Sequence, residues 1–187
     1  PISLVGSEMC IRDRLNVGAV APFLLKKIMI EEIKKIIEPA IMQNNCFLWG
    51  IEILRGKKNP TLRVFIDSYE NANIEDCENI SKDLNYEVSL ESILGDDFIL
   101  EVSTPGINRK FFYKEQLNEY IGEEFELRLR KPINGDKNIK GHLINMSNDI
   151  LSIKNKKRDY ELDFNDLDLC KLNPNYSKLI KEINYAK

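Results

Sequence analysis

Residues 97–111 read Asp-Phe-Ile-Leu-Glu-Val-Ser-Thr-Pro-Gly-Ile-Asn-Arg-Lys-Phe, and this stretch decides the fold prediction. Phe98, Leu100 and Val102 would share one face of a strand, because strand side chains alternate with a period of two. The Pro105-Gly106 pair then ends the strand, since proline cannot donate a ladder hydrogen bond and glycine readily adopts a positive φ. The stretch therefore predicts a strand that leads into a joint between two domains.

The chain before this strand predicts a helix, two strands and a second helix. One apolar helical stripe consists of Ile30, Ile33, Ile37 and Ile41, and Pro39 is expected to kink or interrupt that helix. Strands are predicted at residues 46–54 and 61–67. Asn73 is expected to cap the second helix, whose inner stripe is Cys77, Ile80, Leu84 and Val88. Residues 27–106 thus predict a domain of mixed α+β class, in which two helices cover one face of a three-stranded sheet.

Several short strands are predicted after the joint. A short helix at residues 114–121 precedes them, and their boundaries are marked by Gly122, Asn134-Gly135 and Asn148-Asp149. This pattern favours a small β-barrel over residues 107–173. An amphipathic helical tail is expected at residues 174–187. Residues 1–26 fit none of these patterns and are interpreted as an extraneous or disordered extension, with Met29 as the expected start of the native protein.

The composition excludes several classes of protein. The chain has 187 residues and 43% apolar content, enough for one or two small cores. No apolar run reaches the roughly 18 residues of a membrane-spanning helix. The four cysteines are isolated from one another, and the sequence contains a single histidine, His142. Neither a zinc site nor a disulfide framework is therefore expected. We therefore expect a soluble cytoplasmic protein with reduced thiols and no bound metal.

Charge differs between the two predicted domains. Residues 27–106 contain 8 lysines and arginines against 15 aspartates and glutamates, a net charge of −7, whereas residues 107–187 contain 16 against 13, a net charge of +3. A strongly acidic domain repels phosphate and attracts basic proteins. Asp67, Glu75 and Asp76 are singled out as an acidic partner surface. The alternative for the two near a helix start is that they complement the helix dipole.

Basic residues of the second predicted domain lie mostly near its hairpin turns. Those able to contact RNA or a partner are Arg128, Arg130, Lys131, Lys154, Lys156, Lys157 and Arg158. The alternative is that they are solvated turn residues or charges that guard a sheet edge. Charge alone does not decide between these two interpretations.

Several blocks of the sequence, in order, resemble the bacterial ribosome maturation factor RimP family. Residues 100–109 are similar to its signature Leu-Glu-Val-Ser-Ser-Pro-Gly-x-x-Arg. Residues 49–52, 62–67 and 74–78 resemble its strand, strand and helix blocks, and residues 125–172 resemble its small barrel. The family usually continues with Asp-Arg-Pro-Leu, where this chain has Asn108-Arg109-Lys110-Phe111. The resemblance therefore covers most of the chain but departs from the family immediately around the arginine.

This resemblance implies an SH3-like or Sm-like second domain and a role in maturation of the small (30S) ribosomal subunit. It implies binding without catalysis and without a cofactor. The implied partners are the immature small subunit, its very basic twelfth ribosomal protein and, as a further contact, 16S ribosomal RNA. A monomer is expected. The alternative function is a general RNA-binding adapter, because small barrels of this kind serve many functions.

The joint is the main predicted site, and it comprises Ser103, Thr104, Pro105, Gly106 and Arg109. Either these residues only shape the turn between the domains, or a rigid joint lets both domains touch one partner and raises affinity through effective concentration. No catalytic residue is expected, because the chain has neither a phosphate-binding glycine loop nor a His-Glu-x-x-His motif.

Overall fold

The computed structural model of the chain describes residues 22–56 and 59–177. The helices are α1 (Pro22–Gln43), α2 (Ile74–Leu84) and α3 (Val88–Leu94), with short 3-10 helices at Lys114–Tyr120 and Phe164–Asp166. The strands are β1 (Phe47–Arg55), β2 (Pro60–Asp67), β3 (Ile99–Ser103), β4 (Glu124–Ile133), β5 (Asp136–Ser147), β6 (Ile150–Lys154), β7 (Asp159–Asp163) and β8 (Leu167–Leu172).

The first sheet has the strand order β1-β2-β3. β1 and β2 are antiparallel, whereas β2 and β3 are parallel because α2 and α3 form the crossover between them. α1 contacts β1, and α2 contacts both α1 and β3. The fully buried side chains between sheet and helices include Ile33, Ile37, Ile41, Leu62, Val64, Ile66 and Ile80. The predicted three-stranded sheet with helices is confirmed.

The helices differ from the sequence prediction in two details. α1 continues through Pro39 as one helix, because the burial of Ile41 beyond it outweighs the backbone hydrogen bond that the proline removes. The second predicted helix is split, since α2 ends at Leu84 and α3 begins at Val88. The Val88 side chain is 73% exposed, so its place in the predicted stripe was wrong, and Leu90 is buried instead.

The second sheet is antiparallel, in the order β7-β6-β5-β4-β8. Asn134-Gly135 and Asn148-Asp149 all have positive φ, as two-residue hairpin turns require. His142 on β5 is exposed, and its Nδ1 lies 3.1 Å from the Gly122 carbonyl oxygen. The predicted run of strands separated by turns is thus confirmed, and the strands form an antiparallel sheet. Among the described residues no ladder joins β7 to β8, so closure into a barrel stays a prediction.

Two hydrophobic cores are present in the described part of the chain. One lies between the first sheet and its helices, and the other lies within the second sheet, around Phe125, Leu143 and Leu162. Trp49 of β1 belongs to the second core although its strand belongs to the first sheet. The predicted domain boundaries at residues 106 and 173 stay predictions.

The two ends of the chain lie outside the described ranges. Most of the predicted extension at residues 1–26 and most of the predicted helical tail at residues 174–187 belong to these parts, although residues 22–26 form the start of α1. In the ranges that are described, no helix is both long and apolar enough to cross a membrane.

A capping box begins α2. The Asn73 side-chain oxygen accepts hydrogen bonds from the backbone N–H groups of Glu75 (2.7 Å) and Asp76 (3.2 Å). The Asp76 carboxylate accepts one from the backbone N–H of Asn73 at 2.8 Å. These bonds satisfy N–H groups that have no partner within the helix.

Replacing the cap, Asn73→Ala, is expected to lower the free energy of unfolding by about 1 kcal/mol, because two N–H groups lose their acceptor. Asn79→Ala, at an exposed position within the same helix, is the matched control and should change this free energy by less than about 0.5 kcal/mol. Urea denaturation followed by circular dichroism measures both. Equal effects of the two substitutions would contradict the capping role.

Candidate functional site

Arg109 connects the first sheet to the short helix that precedes the second sheet. Its Nη1 donates hydrogen bonds to Asp67 Oδ2 at the end of β2 (2.9 Å) and to the Tyr120 hydroxyl (3.0 Å), and its Nε donates to the Gly106 carbonyl (3.3 Å). The guanidinium carbon lies 4.8 Å from the centre of the Trp49 ring, within cation–π range. The Arg109 and Asp67 side chains are only 24% and 15% exposed. Solvent therefore screens this ion pair less than it would a surface pair.

Trp49 fixes the chain that enters the second sheet. Its indole Nε1 donates to the Lys110 carbonyl oxygen at 2.7 Å, and its own carbonyl oxygen accepts from Gln116 Nε2 at 2.6 Å. The Gln116 side-chain oxygen accepts from the backbone N–H groups of Phe112 (2.9 Å) and Tyr113 (3.1 Å). The segment from Lys110 to Gln116 is thus bonded to β1 at several points, which leaves little freedom for a hinge.

Gly50 makes room for the Phe112 ring, which would overlap a Cβ atom at this position. The same ring lies 5.5 Å from the ring of Phe65 on β2. The register between β1 and β2 shifts between Leu48 and Gly50. A bulge of this kind redirects neighbouring side chains, and here both Trp49 and Gly50 contact the segment that leads into the second sheet.

A row of charged side chains crosses the first sheet beside this contact. Lys110 Nζ lies 2.8 Å from one carboxylate oxygen of Glu52, and Arg63 lies 3.8 Å from the other and 2.6 Å from Glu101. A cleft of about 550 Å³ opens next to Glu52, between the first turns of α1 and β8. Five basic and five acidic side chains line it, so its charge favours neither anions nor cations.

Residues 36–108 match the family model of the RimP N-terminal domain. This segment is similar to the N-terminal domain of the RimP family. It contains β1, β2, β3, α2, α3 and the end of α1, and its last matched residue lies directly before Arg109. The family assignment made from the sequence is confirmed over this range.

The predicted joint residues divide into two groups. Gly106, with φ 71°, turns the chain away from the RimP N-terminal domain, and Arg109 makes the contacts described above. Ser103 and Thr104 instead border the start of α2, where the Ser103 hydroxyl donates to the Thr104 carbonyl oxygen at 3.0 Å. The structure thus brings Gly106 and Arg109 into the joint and leaves Ser103 and Thr104 beside it.

The three predicted acidic residues have different surroundings. Asp67 pairs with Arg109 and is mostly buried in the joint. Asp76 belongs to the capping box of α2, and the Glu75 side chain is exposed in the first turn of the same helix. The alternative interpretation at the helix start therefore has direct structural support for Asp76. Binding of a partner by this surface stays a prediction.

The predicted basic residues differ in how far they are already engaged. The three arginines have acceptors: Arg128 lies 2.7 Å from Asp168, Arg130 donates to the Asn165 carbonyl oxygen at 3.1 Å, and Arg158 lies 3.2 Å from Asp136. The four lysines of the predicted set, Lys131, Lys154, Lys156 and Lys157, form no ion pair with any residue that the structure describes. These exposed lysines are the most available basic groups of the predicted set.

Sequence reasoning did not single out Trp49, Gly50, Phe112 or Gln116 as site residues. A signal was present, because the single tryptophan of the chain is followed by a glycine inside a predicted strand. Glycine in a strand often marks the close approach of another part of the structure. The signal does not say which residue approaches.

Removing the connecting arginine, Arg109→Ala, is expected to lower the free energy of unfolding by about 2 kcal/mol, because Asp67 stays partly buried without its partner. Arg128→Ala is the matched control, since its ion pair is about half exposed on both sides. The control should change this free energy by less than about 1 kcal/mol. Urea denaturation at low salt measures both, and a cost for Arg109→Ala no larger than the control would show that the joint pair is not stabilising.

The substitution Gly50→Ala places a methyl group where the Phe112 ring packs. It is expected to lower the free energy of unfolding by about 1–3 kcal/mol, because the new methyl group overlaps Phe112. The same substitution in a Phe112→Ala background should lower it far less. A double-mutant cycle measured by urea denaturation gives the coupling between the two positions. If the two substitutions change the free energy of unfolding additively, residue 50 and Phe112 are not in the tight contact that the structure shows.

Proposed function

We propose that this chain is a non-catalytic assembly factor for the small (30S) ribosomal subunit, which binds the immature subunit together with a basic ribosomal protein. The observation that carries the proposal is the RimP N-terminal domain at residues 36–108. In that family the protein partner is the twelfth ribosomal protein of the small subunit. The chain works without a cofactor, in the cytoplasm and as a monomer.

The charge distribution supports two binding surfaces of opposite sign. The RimP N-terminal domain carries Glu75 and Asp76 at the start of α2 and suits a basic protein. The second sheet carries Lys154, Lys156 and Lys157 where β6 leads into β7, and these lysines suit the phosphates of 16S ribosomal RNA. We assign the second domain to residues 107–173 and propose that its sheet closes into an SH3-like barrel.

The joint supports the simultaneous use of both surfaces. Hydrogen bonds of 2.6–2.9 Å tie the segment that leads into the second sheet to the first sheet, from Arg109 to Asp67 of β2 and from Lys110 and Gln116 to Trp49 of β1. When one surface binds, the other is already held near its own target, so the second contact forms as an intramolecular step. Ser103, Thr104 and Pro105 contribute to the joint because they end β3 and so determine where the segment between the two sheets begins.

Binding energy alone is enough for this function. A factor that binds one conformer of the maturing subunit more tightly shifts the population toward that conformer by its differential affinity. It must bind the mature subunit less tightly in order to leave. No group on this chain has to react with the subunit.

Co-sedimentation with immature small subunits, mature small subunits and assembled ribosomes tests the proposal. The chain should pellet preferentially with the immature particle, and salt should weaken this binding because exposed charges contribute to it. Replacing the three lysines together (Lys154→Gln, Lys156→Gln and Lys157→Gln) should make the negative slope of log K against log salt shallower by about 2. Equal binding to all particles and to unrelated RNA would favour a general RNA-binding adapter instead.

The same assay tests the joint. Arg109→Ala should weaken binding to the immature particle under conditions where the protein stays folded, because the two surfaces are no longer held together. Arg128→Ala, which removes one positive charge from an exposed ion pair, is the control for charge. Equal affinity of the two variants would leave the joint without a role in binding.

A further inference from the structure

The outer side of β3 is an open sheet edge. β3 pairs with β2 on one side, and among the described residues no strand pairs with its other side. Alternate residues of an edge strand direct their backbone N–H and C=O groups away from the sheet, where another strand can bind them. Ile99, Glu101 and Ser103 are exposed and β3 has no fully buried residue, whereas β1 and β2 each have three.

A groove runs along part of this edge. Its volume is about 280 Å³, and its helix side is formed by Ala72, Asn73, Ile74 and Cys77 and its strand side by Val102, Ser103 and Thr104. The Ile74 side chain is 80% exposed at the rim. An open strand edge beside a helix is the arrangement that extended peptides use when they add a strand to a sheet.

The charge around the groove selects the kind of peptide. Residues 70–101 contain ten aspartates and glutamates and one lysine. Glu75 and Glu78 on α2 are exposed near the groove, whereas Glu101 on β3 already pairs with Arg63 of β2. A strand with lysine or arginine side chains is attracted to this surface, whereas nucleic acid is repelled. The exposed Ile74 can cover an apolar side chain of the same strand.

We propose that an extended, lysine- or arginine-bearing segment of a protein partner binds here by adding a strand to β3 beside α2. The proposal deepens the function proposed above and rests on it for the identity of the partner as a basic ribosomal protein. It gives Ser103 and Thr104, which line the groove, a contact with the bound strand in addition to their place before the joint. Backbone hydrogen bonds give the binding its geometry, and the acidic residues give its preference for positive charge.

A short synthetic peptide of alternating lysine and valine, titrated onto the full chain, is the first test. Two further peptides have the same sequence. One carries N-methyl groups on every valine backbone nitrogen and the other on every lysine backbone nitrogen, so each lacks the N–H donors along one side of the peptide strand. One of these two should bind about tenfold more weakly or worse, because it cannot pair with β3. Equal binding of all three peptides would show attraction by charge alone and would overturn strand addition.

Amide hydrogen exchange on the chain gives an independent readout. Alternate amides within residues 99–103 should exchange more slowly when the unmodified peptide is bound, since a new ladder protects them. Protection elsewhere, with residues 99–103 unchanged, would contradict the proposed edge.

A pair of matched variants tests whether the peptide binds at the groove. Ile74→Lys should weaken peptide binding about tenfold, because it places a positive charge at the rim. Ile144→Lys makes the same change at a site on β5 that is 51% exposed, and it should leave binding unchanged. Both side chains are exposed, so neither variant is expected to unfold the protein. Similar affinities of the two variants would place the peptide elsewhere.

Binding of the same variants to immature small subunits separates this proposal from the proposed function. Loss of subunit binding in Ile74→Lys but not in Ile144→Lys supports both. If the subunit binds but Ile74→Lys binds equally well, the groove proposal fails while the assembly role stands. If the chain binds no subunit but the peptide still protects residues 99–103, the proposed function fails and the strand-addition site stands.

Discussion

The contact of β1 with the segment from Lys110 to Gln116 is the constraint on which the arrangement of the two sheets depends. β1 must present side chains to the helices on one face and accept the second sheet on the other. The bulge at Gly50 allows this, because Trp49 enters the second core while the adjacent glycine accommodates the Phe112 ring. The first sheet is therefore covered by helices on one face and partly covered by the second sheet on the other.

Sequence periodicity predicted the elements well because the residues that determine them are close in the chain. The isoleucine stripe of α1, the left-handed Asn45 (φ 56°) that follows it and the two Asn-initiated hairpin turns all act within a few residues. The contacts between Trp49 and Lys110, and between Asp67 and Arg109, span 61 and 42 residues. No local pattern encodes such pairs. Asp67 was therefore interpreted as an accessible acid, although it is mostly buried beside its arginine.

The joint also explains where charge remains available. Glu52 and Asp67 have cationic partners, Lys110 and Arg109, at distances of 2.8–2.9 Å, so these acids contribute little to attraction of a partner. A partly buried charge requires such a partner, because desolvation without one is costly. What remains exposed is a set of acids along α2 and a set of lysines near the β6–β7 turn. The opposite net charges of the two halves are therefore carried by groups outside their common contact.

A fixed joint changes what these two modest surfaces can do. Surface ion pairs are individually weak and are screened by salt, so neither the acids nor the lysines would hold a ribosomal particle tightly alone. When the joint fixes the distance between the acidic surface and the lysine surface, both can bind only a particle whose protein and RNA have a matching spacing. Affinity for a particle would then depend on the geometry of that particle. Under the proposed function, a maturing subunit that changes this spacing would weaken the combined attachment while leaving each local contact intact. Rigidity between the two sheets would then provide both selectivity and release.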